Sequence, residues 1–378
     1  AEADEREQVE EMILAEIRPF EAEAKATTWV DDLIAQRRPE LYTAMTTPID
    51  QLACAPMYGP VGPGALPFPG PDTVKVAMMQ FNRFHTRLFA EWAVKRQAAY
   101  AKRRGARIGV LPELCFFKRG EVEEAPEAAA EYGAEVLAMI TALAKEVGIY
   151  LCFSNPEQEA GLLYHTAYLV GPAGVAVKYR KAHLNRRELQ WATPGEKLAE
   201  VVETELGRVA LMVGDEVYVT EVGRCLALNG VEIVLHPADW ANDDEPNVVA
   251  TERAGESRFH LVSVTRMDSV DAAPHVGSQT TLAGEFIDGE PIPLMRYSRG
   301  IWCRAGVEEC TVVDLERREP HCKMMGWHLD VLKKRYPECY KVCTVPTKEL
   351  YLWRNITKHR PGTFPDVLRA ARGTRSSL

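Results

Sequence analysis

Three polar positions each stand directly after an apolar stretch that reads as a strand. Glu113 follows RIGVLP, Lys181 follows VAVKYR, and the turn Gly214-Asp215-Glu216 follows VALMV. Side chains at strand ends in α/β domains gather along one edge of a cleft. A carboxylate, an ammonium and a nucleophile gathered there make an acyl-transfer site. The carboxylate takes the nucleophile's proton, and the ammonium stabilises the oxyanion of the tetrahedral intermediate. The third position belongs to a strand–turn–helix–strand unit over residues 209–240, the kind of elbow that lifts a nucleophile off a strand end. The elbow residue is Gly214, which has no side chain to attack with.

Taken singly, each of these residues has a plainer reading. Glu113 suits a loop or a helix cap. Lys181 stands among Lys178, Arg180 and His183, and a basic cluster is commonly a solvated face. Glu188, in NRREL, suits a helix surface. Asp215 and Glu216 suit the first turn of a helix, where acids favour the dipole.

The elements that must position them follow from period and punctuation. Residues 74–80 read as a buried strand and 85–104 as an amphipathic helix ending near Gly105. Residues 107–111 form a strand leading into Pro112-Glu113. Residues 126–147 form a helix, with Pro126 in its first turn and Gly148 as its stop. A strand over 149–154 is followed by a hairpin of 162–170 with 175–179 across GPAG. After the elbow unit come a helix at about 248–259 and strands at 261–266, 300–305 and 309–315. Strands alternating with helices, plus hairpins, predict a mixed α/β layered domain. Ahead of it, residues 1–55 read as two helices, the second closed by Pro48, and 56–72 as an extended Pro/Gly-rich linker. The expected organisation is a helical extension (1–55), the linker (56–72), the main domain (73–320) and a C-terminal tail (321–378). The extension and the tail, with Trp327, Tyr336, Tyr340, Tyr351 and Trp353, are expected to pack against a neighbouring copy in a homo-oligomer, a dimer or larger.

Composition excludes several classes. The net charge of −9 and the lack of a basic block argue against nucleic acid. No apolar run is long enough to span a bilayer, and the acidic start is unlike a secretory signal. Nine cysteines without a CxxC pair fit reduced thiols in a cytoplasmic protein. The spacing of Cys339 and Cys343 after His321-Cys322 departs from the close ligand pairs of structural zinc. The first strand is not followed by GxGxxG. His236, His260 and His275 are scattered. No cofactor and no metal are expected, and a small molecule is the expected partner.

Taken together, the segments VKVAMMQFN, RIGVLPEL, LLYHTAYLVGPAGVAVKYRKAHL, ATPGEK, GRVALMVGDEVYVTEVGRCLALNGVEIVLHPADW, ERAGESRFHLVSVTR and EECTVVDLERR resemble, in order, the nitrilase or carbon–nitrogen hydrolase superfamily. The resemblance covers about residues 74–318. The N-terminal extension and overall length are similar to the β-ureidopropionase and N-carbamoyl amino acid amidohydrolase branches. It implies a four-layer α-β-β-α sandwich. It also implies that Glu113 is the family's catalytic Glu, Lys181 its Lys, and Glu188 its second, substrate-side Glu. His165 stands where the family usually has Asn. His165, His183 and Trp240 are expected on the substrate side.

The departure is at the elbow. The family's Cys-Tyr-Asp and later Pro-Glu read here as Gly214-Asp215-Glu216 and Thr220-Glu221. Cys225 lies on the following helix and Cys115 follows Glu113, but neither holds the nucleophile's place. With no thiol at 214 the thioester route is closed. Three readings stay open. The first is hydrolysis by a changed route, with Glu113 as general base, Lys181 as oxyanion stabiliser and Asp215 or Glu216 as a second carboxylate. The second is a ligand- or partner-binding protein without catalysis. The third is an ordinary amidase whose nucleophile has been removed. Specificity is expected from loops 116–125, 185–192, 239–247 and 268–280.

Overall fold

The computed structural model describes residues 36–58, 68–81, 87–240, 245–267, 279–282, 286–287, 290–291, 299–304, 307–321, 323–325 and 329–346. Two six-stranded sheets form its centre. The first is built from β1 (Thr73–Gln80), β2 (Ile108–Val110), β3 (Tyr150–Glu159), β4 (Leu162–Gly171) and β5 (Gly174–Arg180). The second is built from β6 (Val202–Thr204), β7 (Gly207–Leu211), β8 (Ile233–Pro237), β9 (His260–Val264) and β10 (Gln279–Leu282). A short ribbon pairs β11 (Phe286–Ile287) with β12 (Glu290–Pro291). Then β13 (Arg299–Trp302) joins the second sheet and β14 (Glu309–Glu316) returns to the first. The orders are β14-β1-β2-β3-β4-β5 and β13-β10-β9-β8-β7-β6. Each sheet has three parallel strands at its centre and antiparallel strands outside them.

Period-two alternation decides which face each side chain takes. Along β1, Val74, Val76 and Met78 enter the core shared with the second sheet, where they meet Leu211, Val234 and Leu235. Ala77 and Met79 face the other way, onto the helices. Two helices cover that outer face. Helix α1 (Arg87–Arg103) buries Ala90, Ala93, Val94, Gln97, Ala98 and Ala101, which recur at helical spacing. A short α2 (Glu121–Glu124) precedes α3 (Pro126–Val147). Helix α3 starts on Pro126 and stops at Gly148, which adopts φ +70° and donates its N–H to Ala144. Ile140 of α3 is wholly buried, and cutting it to Ala is expected to cost roughly 2–5 kcal/mol. On the far side, α4 (Thr220–Leu228) and α5 (Thr251–Ser257) pack Val222, Leu226 and Ala254 against the second sheet. The four layers are therefore α-β-β-α.

Several sequence expectations need correction. Residues 36–58 form four short 3₁₀ turns rather than the end of an α-helix. Prolines at 39, 48 and 56 lack the N–H that a continuous helix would use. These turns also do not stand apart from the main domain. Tyr42 is wholly buried, and the Cys54 N–H donates to Leu228 O on α4 at 3.2 Å. The expected helix at 248–259 is present with shifted bounds: a π-helical stretch, Glu245–Ala250, runs directly into α5. The buried Arg317 donates to Glu232 and to the carbonyls of Phe68, Pro69 and Pro71, which holds the end of the Pro/Gly-rich stretch against the sandwich. Residues 1–35, 59–67 and 347–378, with Trp327, Tyr351, Trp353, Cys322 and His275, lie outside the described residues. Among the described residues, no helix is long and apolar enough to cross a membrane.

Candidate active site

Glu113 leaves the first sheet two residues after Leu111, whose N–H is held by Cys152 O at 2.8 Å. Its own N–H donates across to Ala238 O, just past β8, at 3.1 Å, so strand ends of the two sheets meet here. Leu114 then turns the chain with φ +46°. That left-handed turn is held from both ends. The Leu114 N–H donates to Ser154 Oγ at 3.1 Å, and Arg266 donates to Leu114 O at 3.1 Å.

Lys181 follows β5 and is wholly enclosed, at 1% exposure. Its N–H donates to His165 O at 2.8 Å, and its carbonyl accepts from Gly195 at 2.9 Å. Residue 195 must be Gly, because a Cβ there would stand 2.2 Å from Arg180 O. The ammonium donates to both Glu188 oxygens at 2.8 and 2.7 Å and to Asp215. Glu113 lies at 4.0 Å from it.

Glu188 owes its place to a capping box. Asn185 Oδ1 accepts the Glu188 N–H at 2.9 Å, and Glu188 Oε2 accepts the Asn185 N–H at 2.8 Å. The motif Asn185-x-x-Glu188 is the sequence signal for this turn. Glu188 is therefore a buried site residue, not a surface one.

The elbow is a 3₁₀ turn, Gly214–Tyr218, ahead of α4. Gly214 adopts φ +51°, and its carbonyl accepts from His236 Nε2 at 2.7 Å. Burial lowers the His236 pKa to about 4, so the ring is neutral and its other nitrogen accepts from Ser263 at 2.9 Å. A Cβ built on Gly214 would stand 2.5 and 2.6 Å from the two Glu113 oxygens.

Above this floor is a cavity of about 130 Å³, lined by Glu113, Glu188, Gly214, Asp215, Asp239 and Trp240, with Lys118, Arg119, Arg187 and Trp191 on its wall. The indole N–H of Trp240 is buried without an acceptor among the described residues. Arg119 pairs with Asp239 at 2.6 Å. Trp240 lines the cavity, and His165, which does not, is bonded to Glu188 at 2.6 Å.

Two expected residues do other work. His183 faces away from the cavity. It stacks on Tyr42 at 5.8 Å between ring centroids and bonds the Tyr42 hydroxyl at 2.8 Å. Glu216 is wholly buried and acts as a clamp: its carboxylate accepts from the Tyr179 hydroxyl at 2.7 Å and from the Ala182 and His183 N–H groups at 3.2 Å. The turn directs Asp215 into the cavity and Glu216 into the packing behind it. Cys225 and Cys115 are both buried, and neither lines the cavity.

The electrostatics divide the three site carboxylates. Burial works against the Lys181 charge, but Asp215, Glu188 and Glu113 outweigh it and hold its pKa above the ordinary lysine value. Burial also works against Glu188, but Lys181 and His165 lower it to about 2. Glu113 is raised well above the usual carboxylate range by burial, with Lys181 opposing and Glu188, Asp239 and Asp215 reinforcing. Asp215 is raised to about 6, again chiefly by burial. One carboxylate stays ionised while burial raises the other two, the pattern that separates charge carriers from proton carriers. Glu113, His165 and Glu188 offer ligand atoms within 4.8 Å of one another, as a metal site would. The ammonium of Lys181, bonded to Glu188 from within that group, supplies the positive charge there.

The sequence profile of the carbon–nitrogen hydrolase family matches residues 75–276, more than half of the chain. The chain belongs to the carbon–nitrogen hydrolase family. A nitrilase from Pyrococcus abyssi is 30% identical over 182 residues, 47% of this chain and 68% of that protein. An N-carbamoylputrescine amidase from Solanum lycopersicum is 25% identical over 271 residues, 66% of this chain and 87% of that protein. The fold agrees with that of an amidase from a Nesterenkonia species, with a TM-score of 0.57 and 22% identity over 71% of this chain and 95% of that structure. In this carbon–nitrogen hydrolase, Asn185, Arg187, Arg119 and Asp239 lie in loops the sequence marked for specificity without being singled out, and Ser154 was missed. Only Asn185 carried a local signal.

Proposed function

We propose that this protein hydrolyses a carbon–nitrogen bond in a small amide-, carbamoyl- or nitrile-related substrate, with water in place of the family's thiol. The observation that carries this is the carboxylate of Glu113. It is almost enclosed, makes no hydrogen bond among the described residues, and stands over Gly214 where a nucleophile's side chain would begin. Burial, with Glu188, Asp239 and Asp215 reinforcing it, raises its pKa, so it holds a proton more strongly than an ordinary glutamate. For an amide, Glu113 takes a proton from water and the hydroxide oxygen bonds to the carbonyl carbon. The oxyanion forms toward Lys181, taking the place of Asp215, the ammonium's partner on the cavity side. The C–N bond then breaks as Glu113 returns the proton to the departing nitrogen, leaving a carboxylic acid and an amine. The unpartnered Trp240 N–H is a donor for the substrate. Lys118 and Arg187 at the cavity wall make no ion pair among the described residues, which favours a substrate carrying a negative group.

One observation favours a second reading, binding without turnover. Two Glu188 oxygens and Asp215 already take hydrogen bonds from the Lys181 ammonium, so its charge is largely met. The purified protein should be assayed on amides, carbamoyl compounds and nitriles after treatment with a thiol-blocking reagent. Turnover that survives the reagent and vanishes in Lys181→Ala supports hydrolysis by water. Turnover lost to the reagent, or kept by Lys181→Ala, sinks it. No turnover, with ligand-dependent thermal stabilisation, supports the second reading.

A further inference from the structure

His165 is wholly buried on β4, opposite Pro156 of β3. Its ring touches two partners through its two nitrogens: Nδ1 lies 2.6 Å from Glu188 Oε1, and Nε2 lies 3.2 Å from Ser154 Oγ. Glu188 is ionised, so Nδ1 carries the proton and donates it. With Nδ1 donating to Glu188, Nε2 is placed to accept from the Ser154 hydroxyl. The Ser154 oxygen keeps a lone pair for the Leu114 N–H at 3.1 Å. The result is one hydrogen-bonded series, Lys181–Glu188–His165–Ser154–Leu114. It begins at the ammonium and ends at the left-handed residue next to Glu113. The charged groups facing the ring are Glu188, Glu113 at 3.8 Å from Nδ1, and Lys181 beyond Glu188; Trp191 packs on it at 6.0 Å between centroids. The connectivity is that of a serine–histidine–carboxylate triad, but Ser154 is wholly buried and does not line the cavity, so it cannot reach a substrate.

We infer that His165 is a positioning residue whose two ring nitrogens couple the Lys181–Glu188 pair to the Glu113 turn, so that the proton acceptor and the oxyanion partner are set by one series. An Asn, the residue the resemblance expects here, carries its amide at about the level of Nδ1 and is too short to reach the place of Nε2, so it can hold Glu188 but not Ser154 as well. The kinetic consequence rests on the proposed hydrolysis; the coupling itself does not.

The test therefore has two arms. In the first, ¹⁵N-histidine NMR on the full chain reads the tautomer, and hydrogen exchange reads the Leu114 amide. We expect a proton on Nδ1, an unprotonated Nε2, a shift of the Nε2 signal in Ser154→Ala, and faster Leu114 exchange in both Ser154→Ala and His165→Asn. A proton on Nε2 alone, or Leu114 exchange unchanged in both variants, overturns the coupling whether or not the protein turns over a substrate. In the second arm, Ser154→Ala and His165→Asn each lower kcat on the order of 10-fold with KM nearly unchanged. The double variant is no slower than His165→Asn, as expected for members of one series. Full additivity, or a loss confined to KM, overturns the positioning role. Wild-type protein without turnover is a failure of the proposed hydrolysis, and the first arm then decides the coupling alone.

Discussion

The two carboxylate oxygens of Glu113 lie 2.5 and 2.6 Å from the point where a Cβ on Gly214 would stand. A side chain at 214 and the present position of Glu113 exclude each other. Gly214 also holds φ +51°, which costs an ordinary residue about 1–3 kcal/mol. We expect Gly214→Cys to displace Glu113, to lower the melting temperature, and to turn over amides no faster than the unaltered protein. Thermal denaturation and an amidase assay check this. A Cys variant with vigorous, thiol-sensitive activity would show instead that the chain is an ordinary amidase lacking only its nucleophile.

Glu188 and Asp215 share the ammonium of Lys181. Removing it leaves buried carboxylates unpaired, a loss of roughly 3–5 kcal/mol. Lys181→Ala should therefore lower stability measurably by chemical denaturation. It should also reduce any turnover by about 10²–10³-fold, the usual effect of losing one oxyanion donor. Lys181→Ala with unchanged stability would contradict the buried pairing.

His236 sets a pH dependence. Its folded pKa of about 4 lies below the ordinary 6.5, so between those values the unfolded chain binds the extra proton. Stability from this group is full above pH 6.5 and falls as pH drops toward 4, by about 3 kcal/mol in total. Glu188, lowered to about 2 from 4.5, continues the loss below pH 4.5. Asp215 and Glu113, raised by burial, act in the opposite sense over part of this range, so the His236 contribution is read as the difference between the unaltered protein and His236→Gln in denaturant unfolding at a series of pH values. An unchanged slope from pH 6.5 to 4 in that variant would place the titration elsewhere.

Lys118 and Arg187 stand on the cavity wall without ion-pair partners among the described residues. Replacing either by Ala should raise KM for an acid-bearing amide about 2- to 5-fold, as for an exposed ionic contact of up to ~1 kcal/mol. KM for a neutral amide should stay unchanged, and added salt should narrow the difference. Equal effects on both substrates would remove the case for a negatively charged substrate group.

The chain is proposed to assemble as a dimer or larger. Leu88 is 78% exposed and Trp92 51% on the outward side of α1, and Tyr336, 68% exposed, lies in the C-terminal part. Light scattering across a range of concentrations should report more than one copy. A monomer throughout would count against assembly.

The sequence by itself determined most strands and helices of the sandwich and the chemistry available. Apolar alternation, Pro126, Gly148 and the GPAG turn mark strands and helices, because period and punctuation are local properties. The glycine at 214 leaves no side chain to act as a nucleophile at that position. What the sequence could not decide was direction. Asp215 and Glu216 are adjacent acids of the same chemical type, yet one enters the cavity and the other clamps the loop behind it. Lys181 and His183 are two residues apart, yet one meets Glu188 and the other Tyr42. Glu188 read as a surface residue because its partners, Lys181 and His165, reach it from other elements. The Pro-rich turns at 36–58 docked on α4 because Leu228 and the buried face around Tyr42 were there to receive them. These outcomes depend on contacts distant in sequence, which only the folded sheets bring together.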